Sequence, residues 1–366
     1  MKICFLGDAR SVHIQRLACG LVASGHTVHV VTHKPADIPG VSVERFAVPT
    51  PGLTNPRGWA GRRTHYLQTI LSRFDVTNVH FLADWGLTPE IMNAGCVVAT
   101  AWGSDIDPPP GEGLPSPELT AARVSLLRHA QAVTTCGPTF ADSVARYAEL
   151  ELDRIDVVPF GVDLDLFGRS TPLRSSRAGG PQHVGFFKGF REVYGPTDLI
   201  RAIPRVLDRV PNVRFELVGD GAQLDECRNI ATRLGVSECV EWIPRQPHSA
   251  IPTYLSRWDL TVIPSVCEAF GVAALESSAS GVPVVASDVG GLRDTVLDGR
   301  TGLLVPPRSP AALADAISTL LLDDLLRTKM GAVGAGWVKS VFDQRVVVKK
   351  WVALYERVRE ESAAMV

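Results

Sequence analysis

Two glutamates, Glu268 and Glu276, frame the stretch Glu268-Ala-Phe-Gly-Val-Ala-Ala-Leu-Glu276, and the residues around it permit few local structures. Upstream, Leu260-Thr-Val-Ile-Pro264 is a short apolar run suited to a buried parallel strand; downstream, Gly271 to Ser280 is almost wholly small or apolar and stops at Gly281, which predicts a helix. Glu268 therefore falls in a strand-to-helix loop and Glu276 on the helix. The N–H groups that open such a helix, near Phe270 to Val272, make a site for a diphosphate. An ionised carboxylate only accepts hydrogen bonds, so carboxylates beside that site suit hydroxyl groups, including a vicinal diol, and not phosphate. A ligand with a diphosphate between two sugars, a nucleotide sugar, meets both demands. The spacing alone carries little weight, because two glutamates this far apart occur by chance in many chains.

At 366 residues the chain is long enough for two domains with separate cores. Hydrophobic residues at 45% against 21% charged fit a soluble globular protein, and a net charge of −2 argues against a nucleic-acid partner. No stretch reaches the ~18 uninterrupted apolar residues of a membrane span. Met1-Lys-Ile-Cys-Phe-Leu6 enters a strand directly, so a cytoplasmic location is expected. The seven cysteines include no C-x-x-C pair and read as buried thiols, while His29 and His33 lie on a strand-like alternation and share no helical face; neither group predicts a metal.

The chain opens as strand, loop, helix and strand (Ile3 to Leu6, Gly7 to His13, Ile14 to Ser24, Thr27 to Val31), the start of a parallel α/β sheet. Gly7 stands alone where a dinucleotide-binding oxidoreductase would carry G-x-G-x-x-G, which removes the main support for a dehydrogenase. Residues 47 to 63, rich in Pro, Gly and Arg, read as an exposed loop. Strands at Val76 to Phe81 and Cys96 to Ala99 deliver His80 and Thr100-Ala-Trp-Gly-Ser-Asp105 at their carboxyl ends, where open α/β sheets bind ligands. Gly168 to Pro181 lacks hydrophobic periodicity and reads as an interdomain linker. Phe215-Glu-Leu-Val-Gly-Asp-Gly221 is a strand running into a glycine turn, as expected where backbone approaches a ligand, and Phe342 to Glu360 has a helical pattern through Val346, Trp351, Leu354 and Val358.

Pro264-Ser-Val-Cys-Glu-Ala-Phe-Gly271 with Leu275-Glu276, Gly281-Val-Pro-Val-Val-Ala-Ser287, Gly290-Gly291 and Asp298-Gly-Arg-Thr-Gly-Leu-Leu-Val-Pro306 together resemble the retaining glycosyltransferases of family 4, and the resemblance runs over nearly the whole chain. It implies an α/β architecture of the GT-B type, two Rossmann-like domains facing each other across a cleft. Residues 1–168 would bind the acceptor, 181–341 would bind the nucleotide sugar, and 342–366 would form a helix crossing back to the first domain. Lys188 and Glu268 are then the expected catalytic residues. Lys188, Arg191, Gly219, Asp220, Arg245, Glu268, Ala269, Phe270, Gly271 and Glu276 would hold the donor, with Glu276 on the ribose diol. Asp8, Ser11, His13, His80, Trp102 and Asp105 would face the acceptor.

The chain departs from the family pattern twice. Trp102 stands where many members carry a histidine; it is no general base, although its N–H can donate. Tyr194 stands where a phosphate-binding lysine is usual, so Lys188 is expected to be the main diphosphate cation, with Arg191 second. Asp105-Ile-Asp107 and Asp163-Leu-Asp165 both spell Asp-x-Asp, a metal-nucleotide signature of another glycosyltransferase fold, and their repetition shows how readily the triplet arises. The resemblance implies no metal and no cofactor. The expected activity is transfer of a sugar from a nucleotide sugar, UDP-linked first and GDP-linked next, to a hydroxyl acceptor: a saccharide, a lipid-linked saccharide or a small metabolite. Peripheral contact with a membrane stays open. Two alternatives are a nucleotide-sugar epimerase or hydrolase on the same fold, and a non-catalytic sugar-nucleotide-binding protein.

Overall fold

A computed structural model describes residues 1–46, 56–109, 111, 113–168 and 180–364, with residues 56–61 as backbone only. The chain divides into two compact units, Met1–Gly161 with Gln344–Val366, and Val162–Asp343. Each unit is built on one parallel sheet with helices packed on it.

Among the described residues the first unit carries seven strands: β1 (Lys2–Leu6), β2 (Thr27–Thr32), β3 (Ser42–Arg45), β4 (Val76–His80), β5 (Val97–Thr100), β6 (Ala132–Thr135) and β7 (Ile155–Val157). Their spatial order is β3-β2-β1-β4-β5-β6-β7. The central strands are buried on both faces, as in sheets covered by crossover helices, and for that reason they read in the sequence as continuous apolar runs. Inside the sheet, Asn78 donates to the Tyr355 hydroxyl at 2.7 Å and accepts from Thr100 Oγ1 at 2.7 Å, which in turn accepts from Thr134 Oγ1 at 2.8 Å. Tyr355 belongs to the closing helix Gln344–Ala364, whose stripe Val347, Val348, Trp351, Leu354, Tyr355 and Val358 is buried in the first unit's core.

Among its described residues the second unit has six strands, β8 (Gln182–Phe186), β9 (Val213–Val218), β10 (Val240–Ile243), β11 (Leu260–Ile263), β12 (Val284–Ser287) and β13 (Gly302–Val305), in the order β10-β9-β8-β11-β12-β13. In both sheets the chain order reverses beside the first strand, between β1 and β4 and between β8 and β11. Those reversals are the crevices where open α/β sheets take ligands.

Two expectations need correction. Residues 47 to 63 are not one loop: a helix runs over Pro56–Arg73, while 47–55 lie outside the described residues. Proline suits a first helical position, and the ~1 kcal/mol that each of Gly58 and Gly61 costs is tolerable in an 18-residue helix anchored by buried Leu67, Ile70 and Leu71. The first unit ends at Gly161, ahead of the expected boundary at residue 168. Val162 N–H donates to Phe342 O at 2.7 Å, and Phe167 O accepts from Ser280 Oγ at 3.0 Å, which ties the segment to the second unit. The expected linker at Gly168 to Pro181 falls mostly on 169–179, outside the described residues.

Candidate active site

In the second unit, loops at the carboxyl ends of β8, β9 and β10 and the helix Val272–Ala279 enclose a pocket lined by Lys188, Arg191, Tyr194, Gly219, Asp220, Arg245, His248, Ala273 and Glu276. Lys188 follows β8 and Glu268 follows β11, so the two stand on either side of the strand-order reversal. The Lys188 ammonium is ion-paired with Glu268 Oε2, which also accepts from Ser265 Oγ at 3.3 Å. Lys188 Nζ lies 4.4 Å from the centre of the Tyr194 ring. The tyrosine that replaces the usual lysine thus presents a π face to the remaining one, a contact that favours a cation at Lys188. Arg191, Asp220 and Arg245 are exposed at the rim.

Glycines set the backbone spacing of this pocket. Gly219 has φ +156° and a side chain there would lie 2.2 Å from Lys188 O, so only glycine lets the end of β9 reach the Lys188 loop. Gly290 and Gly291 press on the Glu268 loop, where added Cβ atoms would lie 2.1 Å from Glu268 O and 2.2 Å from Ala269 O; Gly291 N–H donates to Glu268 O at 2.8 Å. This explains their place in the motif. The Phe270 ring is buried and edge-on to Phe342, so any ligand role of Ala269, Phe270 and Gly271 falls to their backbone.

Glu276 is 4% exposed, and its Oε1 accepts from His248 Nε2 at 2.7 Å. His248 was not among the expected site residues. It lies in a connecting segment after β10 and nothing in its local sequence marks it; only the fold brings it to the glutamate.

In the first unit the expected acceptor residues separate into three groups. Asp8 is ion-paired with Arg10 at 3.3 Å and Lys34 at 3.5 Å, and Ser11 caps the helix Val12–Ala23 by accepting from His13 N at 3.3 Å. His13 stacks on Phe160 with ring centres 4.1 Å apart, and both, with Trp102 and His80, line a narrow pocket beyond β1, β4 and β5. His80 itself is 2% exposed, between Phe5, Trp102 and Trp351. Burial draws its imidazole down to about 3, so the ring is neutral. Expected to face the acceptor, His80 is instead a buried ring at the floor of this pocket, packed against Trp102. Its neighbour Phe81 is the exposed one, held at φ +55° beside Trp102.

Asp105 is corrected outright. At 1% exposure it accepts from the backbone N–H groups of Leu82 at 3.0 Å, Trp102 at 3.1 Å and Gly103 at 2.7 Å. Burial raises its pKa above the ordinary carboxylate value, with those hydrogen bonds opposing the rise. The carboxylate shapes the turn that carries Trp102 and has no surface for an acceptor. Asp163 is similarly spent on Asp165 N and Leu166 N at the start of a helical turn. Among the described residues no three metal-ligating side chains come together, and no helix is long and apolar enough to cross a membrane.

The family model described as Glycosyltransferase Family 4 matches residues 11–166, and that described as Glycosyl transferases group 1 matches residues 174–337. A D-inositol 3-phosphate glycosyltransferase of Streptomyces avermitilis is 31% identical over 300 residues, 76% of this chain and 63% of that one. The protein of the same name from Corynebacterium glutamicum is 34% identical over 233 residues, 59% of this chain and 56% of that one. The chain spans about half the length of most of the curated relatives it matches. Among solved structures, sucrose-phosphate synthase from Thermosynechococcus elongatus superposes with a TM-score of 0.79 at 20% identity, covering 98% of this chain and 99% of that one. HepE of Anabaena, solved in complex with UDP, superposes with a TM-score of 0.77 at 21% identity, covering 98% and 100%. The two-sheet fold is that of these structures.

Proposed function

The chain belongs to glycosyltransferase family 4 and has two Rossmann-like units of the GT-B type, and from that premise we propose that it transfers a sugar from a nucleotide-sugar donor to a hydroxyl acceptor with retention of anomeric configuration. A UDP-sugar is the first choice of donor and a GDP-sugar the second. The observation that carries this reading is the pocket of the second unit, which is lined both by the cations Lys188 and Arg191 and by the His248-supported carboxylate of Glu276.

In this reading the entering diphosphate competes with Glu268 for the Lys188 ammonium. Glu268 is thereby released to accept from sugar hydroxyls, while the backbone N–H groups of Ala269, Phe270 and Gly271 face the diphosphate and sugar. Gly219, Asp220 and Arg245 border the nucleoside, and Glu276 accepts from the ribose diol. No protein nucleophile is required. The departing phosphate oxygen takes the acceptor proton on the face it leaves, and Lys188 and Arg191 stabilise the charge that grows on it. The chemistry needs no metal. Asp8, Ser11, His13 and Trp102 are the acceptor contacts in this reading.

Incubation with UDP- and GDP-linked sugars and a panel of saccharide and small polyol acceptors, with the product linkage read by NMR, tests this. A product whose anomeric configuration matches the donor's supports it. Inversion, or a donor that is only hydrolysed or epimerised whatever the acceptor, overturns it.

A further inference from the structure

We propose that His248 is a positioning residue for the ribose, acting through Glu276 to make the pocket selective for ribonucleotides over their 2′-deoxy counterparts. The inference rests on the reading of Glu276 as the diol acceptor and extends it to a residue that no sequence motif marks. Glu276 is almost completely buried on the helix Val272–Ala279, where an ionised carboxylate needs a donor. A donor to it is the His248 ring, at 2.7 Å. Since a carboxylate cannot donate, His248 Nε2 must carry the proton. The ring is set by its own packing, 5.1 Å from Phe167, and lines the same pocket as the carboxylate.

A hydrogen bond to one oxygen fixes the plane of the carboxylate. A diol is recognised by two hydroxyls only when the acceptor's lone pairs point at both, so fixing that plane turns a general anion into a detector of adjacent hydroxyls. Without His248 the glutamate would be free to turn its carboxylate plane, and the advantage of the 2′-hydroxyl would go with it. In the proposed reading the diphosphate is held by Lys188 and the loops after β8 and β11, so His248→Ala should leave that part of the donor contact intact.

Calorimetric titration of the full chain with UDP and 2′-deoxy-UDP, and in parallel GDP and 2′-deoxy-GDP, tests this in wild type, His248→Ala, His248→Gln, Glu276→Ala and the double variant His248→Ala/Glu276→Ala. The expected result is that His248→Ala weakens the ribonucleotide at least 5-fold and leaves the deoxynucleotide within 2-fold. His248→Gln, whose amide can donate to the same oxygen, should restore most of the difference, and the double variant should be no worse than Glu276→Ala. Under steady-state turnover the loss should fall on donor KM and not on kcat. If His248→Ala weakens both nucleotides equally, or neither, while Glu276→Ala erases the difference, His248 is not the positioning residue and the reading of Glu276 stands. If Glu276→Ala keeps the ribose preference, the diol reading itself falls, and this inference with it.

Discussion

Removing the Lys188 ammonium should damage the transition state more than the bound donor, and the structure indicates how the two effects divide. Before donor binding the ammonium is shared between Glu268 and the Tyr194 ring. In the proposed reading donor binding therefore trades one anion for another at Lys188, and the net gain in the ground state should be small. Charge develops on the diphosphate as the glycosidic bond breaks, and only then does the cation gain in full. Lys188→Ala should accordingly lower kcat by roughly 10²–10³, about 2.7–4 kcal/mol, with a smaller change in donor KM. The same change leaves Glu268 partly buried without its cation. Complete burial would make that cost about 3–5 kcal/mol, but both side chains keep some solvent contact, 13% and 15% exposed, so a loss of ~1–3 kcal/mol in urea unfolding is expected. Steady-state kinetics must be read at a temperature where unfolding data show the variant folded. Arg191→Ala, at the exposed rim, is the paired control. A folded Lys188→Ala variant with wild-type kcat beside an inactive Arg191→Ala would assign the cation to the wrong residue. If both variants kept wild-type kcat, the diphosphate would have to sit elsewhere.

Glu276→Ala should weaken donor binding by about 1.5–3 kcal/mol, the scale of hydrogen bonds to a charged group, as read by calorimetry on folded protein. Activity should persist in EDTA; loss that Mn²⁺ or Mg²⁺ restores would return Asp105 and Asp107 to consideration as ligands. Asp105→Ala should cost at least ~3 kcal/mol in urea unfolding, because three backbone donors lose their acceptor, and it should leave acceptor KM unchanged in the folded fraction. Glu216 is buried and accepts from His183, Trp258 and Arg257; burial alone would raise its pKa, but these partners hold it below the ordinary value. Its contribution is therefore present above the unfolded-state pKa and lost as pH falls through the lower folded value, so Glu216→Gln should be less stable than wild type at pH 7 by ~2 kcal/mol and converge with it only once the pH has fallen below that depressed folded value. A gap that persists in acid would place the loss in packing and not in the charge.

What the sequence discloses about this chain depends on whether the deciding interaction is local. Parallel strands buried on both faces spell themselves out, and Leu260 to Ile263 or Val76 to His80 can be read without a partner. The helix Pro56–Arg73 is obscured because Pro56, Gly58 and Gly61 carry the local signature of a loop, while the residues that hold it, such as Leu67 and Ile70, act through packing. The site divides in the same way. Glu268 and Glu276 are visible from spacing and context, but their partners Lys188 and His248 lie 80 and 28 positions upstream and meet them only through the sheet. Asp105 shows where position misleads. It stands beyond a strand's carboxyl end, as a ligand-binding residue should, yet its hydrogen bonds are met by the amides of its own turn and that of Leu82. Glu276 is buried too, and a donor to it, His248, stands in a pocket wall. Two buried carboxylates thus meet different neighbours: Asp105 accepts from the amides of a turn, whereas Glu276 accepts from a side chain that lines the pocket where the proposed diol would enter.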